Sequence, residues 1–265
     1  MILDNYYYYF PAALSESVCD AIMEQGLEKM HLAKQKFGKD SIDATVGDWR
    51  QKPVTSQTEN SVSLAADTLE TKSNQGSSLE DIYVRDSNVS WLDDDWIYKA
   101  LWSFIKEANK SAGWNFDWDF TENVQFTKYG VGQFYGWHSD TGPKAYEEFD
   151  PSVHKVKLDK NGEPVLSADG SLVAEAHEAT TDPKMIGKMR KLSVTVSLSD
   201  PKDYDGGNLN FDLGPHRPDR YHECTEIRPR GSIIVFPSYI YHQVTPVTRG
   251  TRYSLVAWNL GYPFK

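Results

Sequence analysis

From Ser15 to Phe37 apolar residues recur near helical spacing, at Val18, Ile22, Met23, Leu27 and Met30. That period predicts an amphipathic helix. A second stripe, Ile97, Leu101, Phe104, Ile105 and Ala108, predicts another from Asp93 to Ala112, and its acidic DDD start suits a helix N-terminus. Between them, residues Thr55 to Ser78 are rich in Ser, Thr, Asn and Gln, and read as a loop or mobile cover. Past Gly113 the period changes to two. Glu122 to Tyr129 sets Val124 and Phe126 on one face against Gln125, Thr127 and Tyr129 on the other. Lys191 to Leu198 alternates more cleanly, with Leu192, Val194, Val196 and Leu198 opposing Ser193, Thr195 and Ser197. Gly231 to Tyr241 and Arg252 to Leu260 complete the predicted strands. About fifty residues separate His138 from the Lys191 strand, and the turn-rich LDKNGEPVLSADGSL within them reads as a hairpin standing off the core.

Helices first and short strands later predict a mainly β protein with supporting helices (α+β), a barrel or sandwich with helices packed on it. Each long strand has a second, polar face, so one face should meet the helices and the other line a ligand cavity. The expected organisation is a single domain over 1–265. Within it, 1–113 is helical support and mobile cover, 114–265 the β core, and 141–189 an insertion serving as substrate lid.

Composition narrows the partners. A formal charge of -10, from 28 Lys+Arg against 38 Asp+Glu, disfavours nucleic acid and anionic membranes, which reward clustered positive charge. Cys19 and Cys224 form no metal-spacing motif and no disulfide framework. MILDNYYYYF lacks the features of a signal peptide, and no stretch approaches the ~18 apolar residues of a membrane span. A soluble, cytoplasmic protein is the expectation.

The chemistry concentrates in four residues. His138 and Asp140 lie two apart, so in extended chain both side chains leave the same face. His242 follows the apolar run Ile233 to Tyr241, and Arg252 comes ten positions later. Two imidazoles and one carboxylate can cap one face of an octahedral ferrous ion, the arrangement used by non-haem iron oxygenases. Arg252 shares a strand face with Ser254, Val256 and Trp258, and an inward-pointing arginine is costly unless an anion meets it. Its fork fits a carboxylate, which 2-oxoglutarate would present. HxD alone arises readily by chance, and a packed strand histidine is the ordinary role for His242. The four together predict an Fe(II)- and 2-oxoglutarate-dependent oxygenase.

Three blocks carry a resemblance to a known family: QFTKYGVGQFYGWHSD, RKLSVTVSLSDPKDYDGGNLNF and GSIIVFPSYIYHQVTPVTRGTRYSLVAWNL. In order and spacing they resemble the prolyl 4-hydroxylase branch of the 2-oxoglutarate oxygenases, PKHD-type members above all. The last block also looks like the hypoxia-factor prolyl hydroxylases. The resemblance runs from about Glu122 to Leu260. It implies a double-stranded β-helix (jelly-roll) core, cupin-like, with His138, Asp140 and His242 as iron ligands. It further implies Arg252 on the distal carboxylate of 2-oxoglutarate, Tyr129 adding a phenolic hydrogen bond, and Ser193 near that carboxylate. Collagen-type enzymes usually have lysine where Arg252 stands. Tyr135 and Trp258 match aromatic positions lining the prolyl pocket, for which core packing is the ordinary alternative. Gly206 and Gly207 would let backbone approach the metal closely, and a turn after SDPKDYD is the equally compatible reading.

The activity so implied uses Fe(II), 2-oxoglutarate, O2 and ascorbate, and releases succinate and CO2. Its expected substrate is a proline-containing peptide or protein, embraced by the two covers. A free amino acid or other small molecule is the second reading. Nucleic-acid dealkylases place a second arginine six residues past the first, where this chain has Trp258. From another class comes a cupin-like binding protein without turnover, which an intact triad with Arg252 disfavours.

Overall fold

The computed structural model describes residues 5–37, 42–43, 85–150, 152–156 and 179–264. Two helices bracket one face of a large antiparallel sheet, and a smaller sheet covers the other. The helices are α1 (Glu16–Phe37) and α2 (Asp95–Ser111). The large sheet contains β1 (Tyr8–Phe10), β14 (Ile233–Pro237), β10 (Met189–Ser197), β17 (Arg252–Gly261), β6 (Val124–Tyr129), β4 (Asn88–Leu92) and β2 (Ile42–Asp43) in that order, with β5 (Phe120–Thr121) pairing the end of β17. The small sheet runs β13 (Tyr221–Glu223), β12 (Leu209–Asp212), β15 (His242–Val244), β7 (Phe134–His138) and β3 (Arg85–Asp86). Two further pairs are β11 (Tyr204–Gly206) with β16 (Val247–Gly250), and β8 (Glu147–Glu148) with β9 (Ala179–Thr180). This is the jelly-roll expected from the chain.

The alternation seen in the sequence becomes two environments. Val124, Phe126, Leu192, Val194, Val196, Leu255 and Ala257 pack with Cys19, Ile22 and Met30 of α1 and Ile97, Leu101, Ile105 and Ala108 of α2. The opposite faces put Gln125, Thr127, Ser193, Thr195, Ser197, Arg252 and Ser254 between the sheets, all buried. Strand β14 is apolar throughout because both its faces are covered. Ile233 and Val235 join the helix-side core, while Ile234 and Phe236 join Phe211 and Leu209 between the sheets.

Three expectations needed correction. The face of α1 runs Cys19, Ile22, Gly26 and Met30, and Leu27 is exposed. Gly26 belongs there because the Phe126 ring lies against it, at 2.3 Å from where a Cβ would stand. The strand expected to reach Tyr241 ends at Pro237, which has no N–H to extend the ladder. A turn follows, closed by the Ile240 N–H on the Pro237 carbonyl, and His242 opens a separate strand in the other sheet. Finally, the first 113 residues are not only helical: β1 and β4 extend the large sheet and β3 edges the small one. Residues 55–78 and the LDKNGEPVLSADGSL stretch lie outside the described residues. The described ends of the insertion form a short parallel pair, Glu147 and Glu148 with Ala179 and Thr180. Among the described residues no helix is long and apolar enough to cross a membrane.

Candidate metal centre and the cavity around it

His138 ends β7 and His242 begins β15, and the two are direct partners across the small sheet. Their rings lie 4.2 Å apart between centroids. Asp140 is two residues beyond His138, where its backbone N–H reaches the Ser238 carbonyl at 2.9 Å. One carboxylate oxygen sits 3.5 Å from His138 Nε2 and the other 3.6 Å from His242 Nε2. Ligand atoms of all three lie within 4.8 Å of one another, the one such His/Cys/Asp/Glu group among the described residues.

Each imidazole is turned the same way. His138 Nδ1 bonds the Gly136 carbonyl at 2.7 Å and His242 Nδ1 the Ile240 carbonyl at 2.9 Å. A carbonyl only accepts, so Nδ1 must carry a proton in each ring, and Nε2 is the nitrogen that faces Asp140. Burial and the neighbouring His138 push His242 down to about 4, so it stays neutral at physiological pH. Burial would raise the Asp140 carboxyl, but His242, His138 and Arg190 together outweigh that and hold it well below the usual carboxylate range. Two imidazole nitrogens and one carboxylate, with backbone fixing both rings, are the donor chemistry of a divalent transition-metal site.

The polar face of β17 spans the site from one side to the other. Arg252 and Trp258 leave the same face of that strand, six residues or roughly 20 Å apart. At one end Arg252 is 3% exposed. Its Nη1 donates to Ser254 Oγ at 3.3 Å, and its Cζ lies 5.4 Å from the centre of the Tyr129 ring. It meets no carboxylate among the described residues. Gly207, at φ +59°, packs against this arginine: a Cβ there would stand 2.8 Å from Arg252 Cδ. The expectation that Gly206 and Gly207 serve the metal is thereby corrected, since Gly207 makes room for Arg252 and Gly206 for the Pro246 carbonyl.

Trp258 marks the other end. Arg190 lies over its ring at 3.9 Å, chelates both Glu122 oxygens at 2.7 and 2.6 Å, and donates to the Asp140 carbonyl at 3.2 Å. Tyr135 stacks on His138 with centroids 3.4 Å apart, and the Arg85 guanidinium covers the other ring side at 4.6 Å. Arg85 is itself 3% exposed and bonds Ser87 and Gln125. Its Nη2 and the Trp258 Nε1 are buried donors without a partner among the described residues.

The structure thus brings together His138, Asp140 and His242, pairs Arg252 with Tyr129, and sets Tyr135 and Trp258 beside the triad. It does not bring Ser193 to Arg252. Ser193 pairs with Trp258, at the far end of β17, and its hydroxyl bonds Ser238. The polar face expected from alternation is the one observed; the level along it, which the resemblance implied, is not. Arg85, Glu122 and Arg190 went unnoticed in the sequence. A β-bulge between Arg190 and Leu192 breaks the period just where Arg190 enters the site.

A jelly-roll holding two histidines on neighbouring strands, with an aspartate just past one of them, defines a class of metal-dependent proteins. A family model for the 2OG-Fe(II) oxygenase superfamily matches residues 124–259, just over half of the 265, and the chain belongs to that superfamily. A PKHD-type hydroxylase of Paraburkholderia phytofirmans is 45% identical over 67 residues, covering 25% of this chain and 27% of that protein. One from Escherichia coli is 44% identical over 69 residues, with the same coverage. The chain therefore matches about a quarter of the length of these relatives. In fold it is similar to the viral collagen prolyl hydroxylase of Paramecium Bursaria Chlorella virus-1 (TM-score 0.50, 15% identity, 97% of each chain covered). The superfamily implies Fe(II), 2-oxoglutarate and O2.

Proposed function

We propose that the protein is an Fe(II)- and 2-oxoglutarate-dependent dioxygenase that hydroxylates proline in a peptide or protein. One observation carries the oxygenase reading. His138 and His242 are partners on neighbouring strands with both imidazoles fixed by backbone, Asp140 joins them just past β7, and between the same sheets lies buried Arg252, which meets no carboxylate among the described residues.

His138, Asp140 and His242 would hold the iron, which when bound supplies the oxygen chemistry coupled to decarboxylation of 2-oxoglutarate to succinate. Arg252 binds the distal carboxylate of the cosubstrate, assisted by the Tyr129 hydroxyl, and the buried surroundings strengthen that ion pair. Tyr135 and Trp258 form apolar walls for a prolyl ring. Beside them Arg85 Nη2 and Trp258 Nε1 are donors with no acceptor among the described residues. A peptide offers carbonyl oxygens at close intervals, so unpaired donors beside aromatic walls favour a peptide over a free small molecule. The PKHD-type hydroxylases found as relatives are consistent with this reading.

The test is succinate release from 2-oxoglutarate with Fe(II), ascorbate as reductant and O2, with and without proline-containing peptides, beside His138→Ala. Peptide-stimulated turnover with one oxygen gained on proline supports the full reading. Turnover that peptides never stimulate removes the peptide and keeps the oxygenase. Absence of turnover in iron-loaded protein removes both.

A further inference from the structure

Ser193 and Ser238 are each fully buried, and Ser193 Oγ donates to Ser238 Oγ at 2.9 Å. Ser238 opens the turn between β14 and β15, and this turn touches the triad twice. Its Ser238 carbonyl accepts the backbone N–H groups of Asp140 at 2.9 Å and Thr141 at 3.2 Å. Two residues on, the Ile240 carbonyl accepts from His242 Nδ1 at 2.9 Å. One short turn therefore sets both the Asp140 backbone and the His242 ring. The turn is held to β10 through two groups of one residue: the Ser238 N–H donates to the Lys191 carbonyl at 2.9 Å, and the Ser238 hydroxyl accepts from Ser193.

We infer that Ser193 is a positioning residue for the metal centre, acting through Ser238 to fix the turn that orients Asp140 and His242. It touches neither metal nor cosubstrate. The β10–β14 ladder runs in regular register up to Leu192 and Pro237, and the Ser238 side-chain bond ties the turn to β10 one residue past that last pair. Partners behind metal ligands typically change affinity 10–100-fold when removed. This inference rests on reading His138, Asp140 and His242 as the ligands.

The experiment uses the full chain, metal-free, titrated with Co(II) and followed by its visible absorption. The variants are Ser193→Ala, Ser193→Thr, Ser238→Ala, the double alanine variant and Ser232→Ala. Ser232 is an equally buried serine whose hydroxyl accepts the Ala12 N–H at 3.0 Å, away from the triad. KM for 2-oxoglutarate and Tm are measured on each. Ser193→Ala and Ser238→Ala are expected to weaken Co(II) binding about tenfold, and the double variant to add little to either, as two ends of one bond should. Ser193→Thr keeps the hydroxyl and most of the affinity. Ser232→Ala lowers Tm and leaves Co(II) affinity alone. An unchanged Co(II) affinity with raised KM in Ser193→Ala would instead put the hydroxyl in the cosubstrate site and overturn the inference. Equal Tm losses in Ser193→Ala and Ser232→Ala, with Co(II) affinity intact in both, would reduce it to packing and overturn it too. A wild-type chain that takes up no Co(II) rejects the triad itself, a failure distinct from either.

Discussion

Arg252 and Tyr129 stand directly opposite each other across β17 and β6, with the guanidinium carbon 5.4 Å from the centre of the phenol ring. The pair buries a cation that is 3% exposed and, among the described residues, bonds a serine hydroxyl and no carboxylate. Holding a charge there without an anion is unfavourable, and the proposed cosubstrate would bring one. Replacing it by an apolar side chain of similar length should remove that penalty. Arg252→Met is therefore expected to raise the stability of the 2-oxoglutarate-free protein by about 1–3 kcal/mol while abolishing cosubstrate binding. Thermal denaturation with and without 2-oxoglutarate checks both halves. A variant less stable than wild type in the absence of ligand would mean the arginine is structurally satisfied.

The Glu122–Arg190 pair works in the opposite sense. Its side chains are only 9% and 20% exposed, and Arg190 is tied to the Asp140 carbonyl as well. Burial alone would favour the neutral guanidine, yet Glu122 keeps Arg190 firmly protonated. Glu122→Ala leaves that cation without its anion, at a cost of roughly 3 kcal/mol, or about 10 °C in Tm for a chain of this size. Because Arg190 also covers Trp258, peptide-dependent turnover should fall further than the peptide-free decarboxylation of 2-oxoglutarate. Equal losses in both rates would separate Arg190 from the substrate end of the cavity.

Gly26 offers a stability test remote from the site. In an exposed helix interior Gly→Ala gains about 1 kcal/mol. Here the Phe126 ring occupies the space, 2.3 Å from an added Cβ, and the Gly26 carbonyl accepts the Ser90 hydroxyl at 2.9 Å. Overpacking should reverse the sign, destabilising the protein by about 1–3 kcal/mol. Chemical denaturation of Gly26→Ala measures it, and a stabilised variant would show that α1 shifts freely over the sheet.

What the sequence disclosed follows what each signal depends on. Period-two alternation depends only on which face a side chain leaves, so the two environments of β6 and β10 were readable in advance. The same signal carries no information about level along a strand; the resemblance implied a level for Ser193 at the Arg252 end, and it stands at the Trp258 end. Arg85 was hidden for a different reason. Its strand is two residues long, follows a polar tract, and gains its place only by pairing with Tyr135 across the small sheet. Arg190 was masked by the bulge beside it. The triad was legible because metal chemistry constrains residue type and spacing more tightly than packing does.

Both cysteines are predicted to be inert in the folded protein. Cys19 lies in the helix-side core at 0% exposure; burial pushes its thiol up, and the nearby Arg230 only partly opposes this. Cys224 is 1% exposed, and burial together with the Glu226 carboxylate raises its thiol further still. The thiolate is the reactive form, so a raised thiol pKa slows alkylation at any given pH below it. Raising the pH from 7 to 9 would speed an ordinary exposed thiol but should leave these two unmodified while the fold persists. Native protein at pH 8 should therefore consume no thiol reagent over an hour, and the same protein in guanidinium should titrate two thiols per chain. One rapidly reacting thiol in the native state would show that either the α1 core or the Cys224 segment opens locally. Inertness would carry a practical consequence: oxidative loss of activity during turnover with iron and O2 must then arise elsewhere than at cysteine.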